Sequence, residues 1–164
     1  MNDVVKSIET RPVTIRKVHL WRRVIDARSA SLAETLQPLG DAGVRLQTFM
    51  RYRHFRDEKR AVVEVCLHES ENEDRCTSAL RAAGFTITNS PVLLIEGDEA
   101  PGIEYAIAKV VAEQNLNVVF CVTQVINGKW GALLGFVSEE DAEKAALSLL
   151  LLKIEIPTQE EPKT

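Results

Sequence analysis

The apolar positions of this chain fall into one order of elements, run through twice. In the first run, residues 18–25 (Val-His-Leu-Trp-Arg-Arg-Val-Ile) are rich in strand formers. A polar loop follows at residues 26–31, where Ser29 or Ser31 can cap a helix. Leu32, Leu36 and Leu39 then mark a helical stripe closed by Gly40 and Gly43. Pro38 predicts a kink or an early end to that helix, because proline removes a donor and crowds the preceding turn. Residues 44–55 and 61–67 read as two strands joined by a charged loop, Arg56 to Arg60. A second helix is predicted over residues 72–83, stopping at Gly84, and Phe85-Thr86-Ile87-Thr88 alternates as a short strand.

The second run opens at Pro91 with almost no linker. Val92-Leu93-Leu94-Ile95 is the first strand, Gly97 to Gly102 a loop, and residues 103–114 a helix. Two strands, 116–126 and 129–137, flank Asn127-Gly128, the strongest short hairpin signal available. Ser138 with Asp141 three positions on reads as a helix start, continuing over 142–150, and Lys153 to Ile156 as the last strand. The two runs superpose at an offset of about 70 residues: Leu32 to Leu36 matches Ile103 to Ile107, and Glu73 to Leu80 matches Glu140 to Leu147.

This duplicated β-α-β-β-α-β order predicts an α+β protein of two ferredoxin-like units with antiparallel sheets packed together. The expected boundaries are a loose leader over 1–17, a first unit over 18–90, a second over 91–156 and a polar, mobile tail over 157–164. Val13-Thr14-Ile15-Arg16, at the end of the leader, can also extend the first strand. A sheet with both helices on one face leaves its other face bare, and such strands should alternate. Residues 92–95 and 118–122 do not alternate; they are apolar on both sides. A sister unit or another subunit must cover them, so the chain is expected to self-associate as a homodimer or larger.

Composition supports a packed fold: 45% of the 164 residues are hydrophobic and 27% charged. Net charge is −4 but unevenly spread. Residues 1–60 hold 13 Lys/Arg against 7 Asp/Glu, and the remainder 7 against 17. That polarity suits either subunit contacts or two solvated faces. No apolar run approaches the ~20 residues of a membrane span. The amino terminus has early polar residues and no secretory apolar core, which points to the cytoplasm and away from a membrane. Cys66, Cys76 and Cys121 are widely spaced and read as small buried hydrophobes.

Little in the chain points to catalysis. There is no GxSxG, HExxH, P-loop or GxGxxG pattern, and His19, His54 and His68 lack metal-ligand spacing, so no enzyme, metal or cofactor is expected. Arg51-Tyr52-Arg53-His54-Phe55-Arg56 interleaves cations with aromatics, as single-strand nucleic-acid binders do. Against that stand 5% aromatics and an acidic total, so no nucleic acid is expected as a partner. Trp21 and Trp130 read as packing residues.

The second run, with Val92 to Ile103 carrying Asp98-Glu99-Ala100-Pro101-Gly102 and then Ala112 to Val118 carrying Leu116-Asn117-Val118, resembles the ACT domain. This is a small regulatory module of amino-acid metabolism. The first run matches in periodicity but lacks the glycine, and Arg45 stands in the place of Asn117. The resemblance covers residues 18–156 and implies a tandem ACT-domain protein that is regulatory and non-catalytic. It further implies that an amino acid or similar small effector binds where two modules meet, an allosteric event that a regulated enzyme or other partner reads. The implied ligand-binding residues are Asp98, Ala100, Pro101, Gly102, Ile103, Asn117 and Val118. Gly102 permits close backbone approach, the amides of residues 102–104 open a helix and suit a carboxylate, and Asp98 and Asn117 can meet an α-amino group. Structural roles are equally open to them: Pro101 in a helix first turn, Asp98 as a cap, Asn117 satisfying backbone. A scaffold module that keeps the fold without a pocket is the alternative function.

Overall fold

A computed structural model describes residues 13–68 and 73–151 of the chain. In chain order it contains β1 (Thr14–Val18), β2 (Leu20–Asp26), α1 (Ala30–Asp41), β3 (Leu46–Arg53), β4 (Arg60–Leu67) and α2 (Glu73–Ala82). There follow β5 (Thr86–Ile87), β6 (Val92–Asp98), α3 (Ile103–Glu113), β7 (Val118–Ile126), β8 (Lys129–Phe136) and α4 (Glu139–Leu150). These form two four-stranded antiparallel sheets, ordered β3-β4-β2-β5 and β1-β6-β8-β7, each with two helices. The duplicated α+β fold read from the sequence is the fold observed.

The unit built from residues 18–89 places β2 and β4 in its centre, with Trp21 opposite Val65 and Ile25 opposite Ala61. Those side chains cluster with Leu39 of α1, Leu80 of α2, Ala83 and Phe85. Helix α1 departs from expectation twice. It runs through Pro38 to Asp41 without stopping. The backbone donor that Pro38 lacks would have met the carbonyl of Glu34, and both residues are on the exposed side, where water can serve that carbonyl. Ser29 sits at the amino-terminal cap position with helical backbone angles and accepts no capping hydrogen bond, while Ser31 is buried in the first turn.

The other unit takes its central strands from β6 and β8, paired from Val92–Gly135 through Asp98–Lys129. Leu93, Ile95, Trp130, Ala132, Leu134 and Phe136 pack with Ile103 and Ile107 of α3 and Ala142, Ala145 and Leu149 of α4. Asn127 and Gly128 both take positive φ, 52° and 72°, as the tight hairpin between β7 and β8 requires. The Ser138 side chain accepts from the Asp141 amide at 3.1 Å and starts α4, which begins at Glu139.

Its fourth sheet position holds β1, hydrogen-bonded beside β6. Residues 14–17, read from the sequence as the end of a leader or a first-strand extension, therefore join the sheet of the second repeat. Val13 and Ile15 pack on its core. Arg16 pairs with Glu96 at 2.9 Å, and Lys17 reaches Glu139 at 2.9 Å and Glu143 at 3.2 Å. The uneven charge thus has a local use: basic residues at 16 and 17 meet acidic ones of the second repeat. The leader before residue 13, the strand expected at 153–156 and the tail at 157–164 lie outside the described residues.

Non-alternation of β6 is matched by its burial. Val92, Leu93, Leu94 and Ile95 are all buried, and Leu94 faces Leu133 in register on the side away from the core cluster. Strand β7 differs. As an edge strand it leaves Val119, Val122, Val125 and Ile126 exposed at 54%, 39%, 45% and 58%.

Candidate functional site

Strand β6 ends at Asp98 and α3 begins at Ile103, so the loop between them presents residues 99–102 at the helix amino terminus. Gly102 holds the cap position with φ +81°, a left-handed conformation that a side chain strains, and no side chain caps the helix. Exposed first-turn donors and the helix dipole make this end attractive to an anion. One expected donor is already used: the Ile103 amide bonds the Ala100 carbonyl at 3.3 Å. Asp98 is also engaged, since Lys129, its register partner across the sheet, donates to its carboxylate.

The seven sequence-derived residues separate into two groups. Ala100 and Ile103 are buried in the core cluster, and Val118 packs against it. Asp98, Pro101, Gly102 and Asn117 are exposed at the surface.

Beside the loop the structure opens a cavity of about 260 Å³ between α3 and the β7–β8 hairpin. Ile107, Ala108 and Val111 line its helix side; Val118, Cys121 and Thr123 its β7 side; Trp130, Ala132 and Leu134 its floor. Glu104 completes the lining, and its carboxylate accepts from the Trp130 indole N–H at 3.2 Å. The sequence pattern had marked Glu104 only for its amide and Trp130 only for packing. Helical spacing through 104, 107, 108 and 111, and alternation through 130, 132 and 134, put these residues on facing surfaces. Ala108 and Ala132 are small there, which leaves the space.

Around the β2–α1 loop of the first repeat, on a different face of the helix, the chemistry is polar. A cavity of about 210 Å³ is lined by Arg23, Asp26, Arg28, Ser31, Glu34, Thr35 and Arg60, among others. Its charges are mutually satisfied: Arg28 donates through both terminal nitrogens to the two carboxylate oxygens of Glu34, and Arg60 pairs with Asp26 at 3.0 Å. The Arg28 guanidinium holds the Glu34 carboxyl below its usual range.

Cysteine placement corrects one expectation. Cys66 and Cys76 are buried, but Cys121 is exposed on the edge strand. Burial, helped by the nearby Glu64 charge, pushes the Cys66 thiol up to about 12, which keeps it protonated. Partial desolvation raises the Cys121 thiol as well, although the residue stays accessible to solvent. Among the described residues no group of three or more His, Cys, Asp or Glu side chains is arranged to hold a metal, and no helix is long and apolar enough to cross a membrane. In the Arg51–Arg56 segment, His54 stacks on Phe55 with centroids 5.4 Å apart and Arg56 lies 4.9 Å over the Phe55 ring, so these groups also satisfy one another.

No family model matches the sequence, and no curated protein matches it. Solved structures do match. A protein of Bacteroides thetaiotaomicron aligns over 87% of this chain and 92% of its own, with TM-score 0.69 and 12% identity. The ligand-free regulatory subunit of aspartate kinase from Thermus thermophilus aligns over 89% of this chain and 99% of its own, with TM-score 0.62 and 12% identity. The chain has the tandem ACT-domain fold. A third match with that fold is a C-terminal regulatory domain of aspartate kinase from Porphyromonas gingivalis, described as putative, covering 88% of this chain and 98% of its own (TM-score 0.54, 14% identity). At these identities the likeness is one of architecture.

Proposed function

We propose that this chain is a non-catalytic regulatory protein that binds an amino acid at the β6–α3 loop of its second ACT unit and transmits occupancy to a regulated enzyme. The observation that carries the reading is the uncapped α3 terminus opened by left-handed Gly102, set beside a cavity of side-chain size. The carboxylate of the ligand meets the remaining first-turn amides; Asn117 and Val118 take no part in that contact, because Val118 pairs with Phe136 at the far end of the sheet, whereas Asp98 and Ile126 both pair with Lys129 beside the loop. Structural likeness to subunits described as regulatory, in aspartate kinases, supports the regulatory half of the reading. We place the protein in the cytoplasm as a homodimer whose exposed apolar strand β7 lies in the contact, since an unpaired apolar edge invites pairing.

Thermal melting of the full chain with each common amino acid tests this. A ligand at 100 times its dissociation constant adds about 2.7 kcal/mol, a readily measured rise. Gly102→Asp should remove the rise and keep the fold. Two observations favour the second reading, a ligand-free assembly module: Asp98 is held by Lys129, and the Ile103 amide by Ala100. That reading predicts a flat response across the whole panel.

A further inference from the structure

The cavity between α3 and the β7–β8 hairpin carries information that the loop alone does not. We propose that it takes the side chain of an apolar α-amino acid, aliphatic or single-ringed, while Glu104 receives the ammonium group. The inference rests on the amino-acid reading above and adds the class of ligand.

Size comes first. A cavity of about 150 Å³ is enough for benzene, so one of about 260 Å³ admits a branched aliphatic chain or one ring. It falls short of the roughly 300–1,000 Å³ typical of sites for larger ligands. Polarity comes next. Apart from Glu104 at one end and Cys121 and Thr123 on the β7 side, the lining (Ile107, Ala108, Val111, Val118, Ala132 and Leu134) offers no partner to a charged or amide side chain, and burying such a group against it unpaired is unfavourable. An aliphatic or aromatic body gains by leaving water for the same surface.

Glu104 sets the orientation. It is the second residue of α3, directly after the loop that meets the carboxylate, and it also lines the cavity. The Trp130 indole, itself buried, fixes one carboxylate oxygen at 3.2 Å and leaves the other for an ammonium donor. A free apolar carboxylate without an amino group would meet this negative charge unpaired. Loop amides, Glu104 and cavity thus match the three parts of one molecule: carboxylate, ammonium and apolar side chain.

Cys121 provides the readout, because it lines the cavity and is the exposed cysteine while Cys66 and Cys76 are buried. The rate of its alkylation by iodoacetamide is measured on the full chain with leucine, methionine, phenylalanine, lysine, threonine, aspartate and isopentylamine. At ten times the dissociation constant an apolar amino acid should slow alkylation about tenfold. Ala108→Phe, which fills the cavity from the exposed helix side, should abolish that protection with an unchanged circular dichroism spectrum. Glu104→Gln, which can still accept from the indole, should weaken apparent affinity about tenfold or more. Protection by leucine and isopentylamine alike supports the cavity and ammonium assignments while overturning a carboxylate site at the loop. Protection by polar amino acids only, or a thermal shift by any amino acid with no change at Cys121, overturns the apolar class and leaves the loop reading standing. No response from any compound in either measurement overturns both.

Discussion

Arg16 and Glu96 lie 80 positions apart in sequence, and their side chains form an ion pair at 2.9 Å that joins strand β1 to strand β6. The pair shows that the second unit is completed by residues that precede the first. Both side chains are about one-third exposed, so the pair alone contributes at most about 1 kcal/mol. The apolar contact of Ile15 with the core contributes more.

Ile15→Asp should therefore destabilise the protein by about 1–3 kcal/mol, well above the effect of Arg16→Ala. Urea denaturation of both variants measures this. Equal small effects would mean that β1 rests on the sheet edge without sealing it.

Ala132→Val adds volume to the cavity floor. Filling an unfilled space should leave stability unchanged or raise it by up to about 1 kcal/mol. A loss of 1–3 kcal/mol on chemical denaturation would indicate overpacking and a site already full.

Charging the exposed edge should disperse a dimer. Val122→Lys places a cation on β7 at a position 39% exposed, so folding is little affected while edge pairing is opposed. Sedimentation should give a self-associating wild-type chain and a monomeric variant. A monomeric wild-type chain at micromolar concentration would rule out β7 as a subunit contact.

Acid should weaken the fold in one direction. Arg28 holds Glu34, and Lys144 holds Glu140, below the ordinary carboxylate value of 4.5. Folded-state values depressed in this way favour the folded state above the unfolded value. That contribution declines as pH falls below about 4.5 and is lost once both carboxylates are protonated in the fold. Denaturation midpoints should hold steady from pH 7 to 5 and then fall slightly, the effect being small because both pairs are exposed and screened by solvent. Glu34→Gln with Glu140→Gln should flatten part of that fall, and an unchanged profile would locate the acid sensitivity elsewhere.

Local signals made much of the fold readable. Asn127-Gly128 announces its hairpin because both residues take the left-handed region, and Ser138 with Asp141 announces a helix because the hydroxyl meets that amide. The order of elements followed from hydrophobic spacing. Strand β1 was not readable in the same way: five residues adjoining β2 look like its extension, and their choice of sheet depends on partners such as Glu96 and Glu139 far along the chain. Pro38 does not end α1, because its missing donor falls on the side of the helix that faces water. At the site, the Pro101-Gly102 loop was legible as a motif. The cavity beside it was not, since it exists only where Ala108 meets Ala132 across the helix–sheet seam.

Whether the chain binds an amino acid at all is decided by titration calorimetry of the full chain against individual amino acids. Saturable binding of at least one is expected, lost in Gly102→Asp, which lowers the unfolding temperature of the empty protein modestly through backbone strain at φ +81° while the cooperative fold persists. Absence of binding heat at two temperatures for every amino acid, up to millimolar concentration, would contradict an amino-acid-binding regulator.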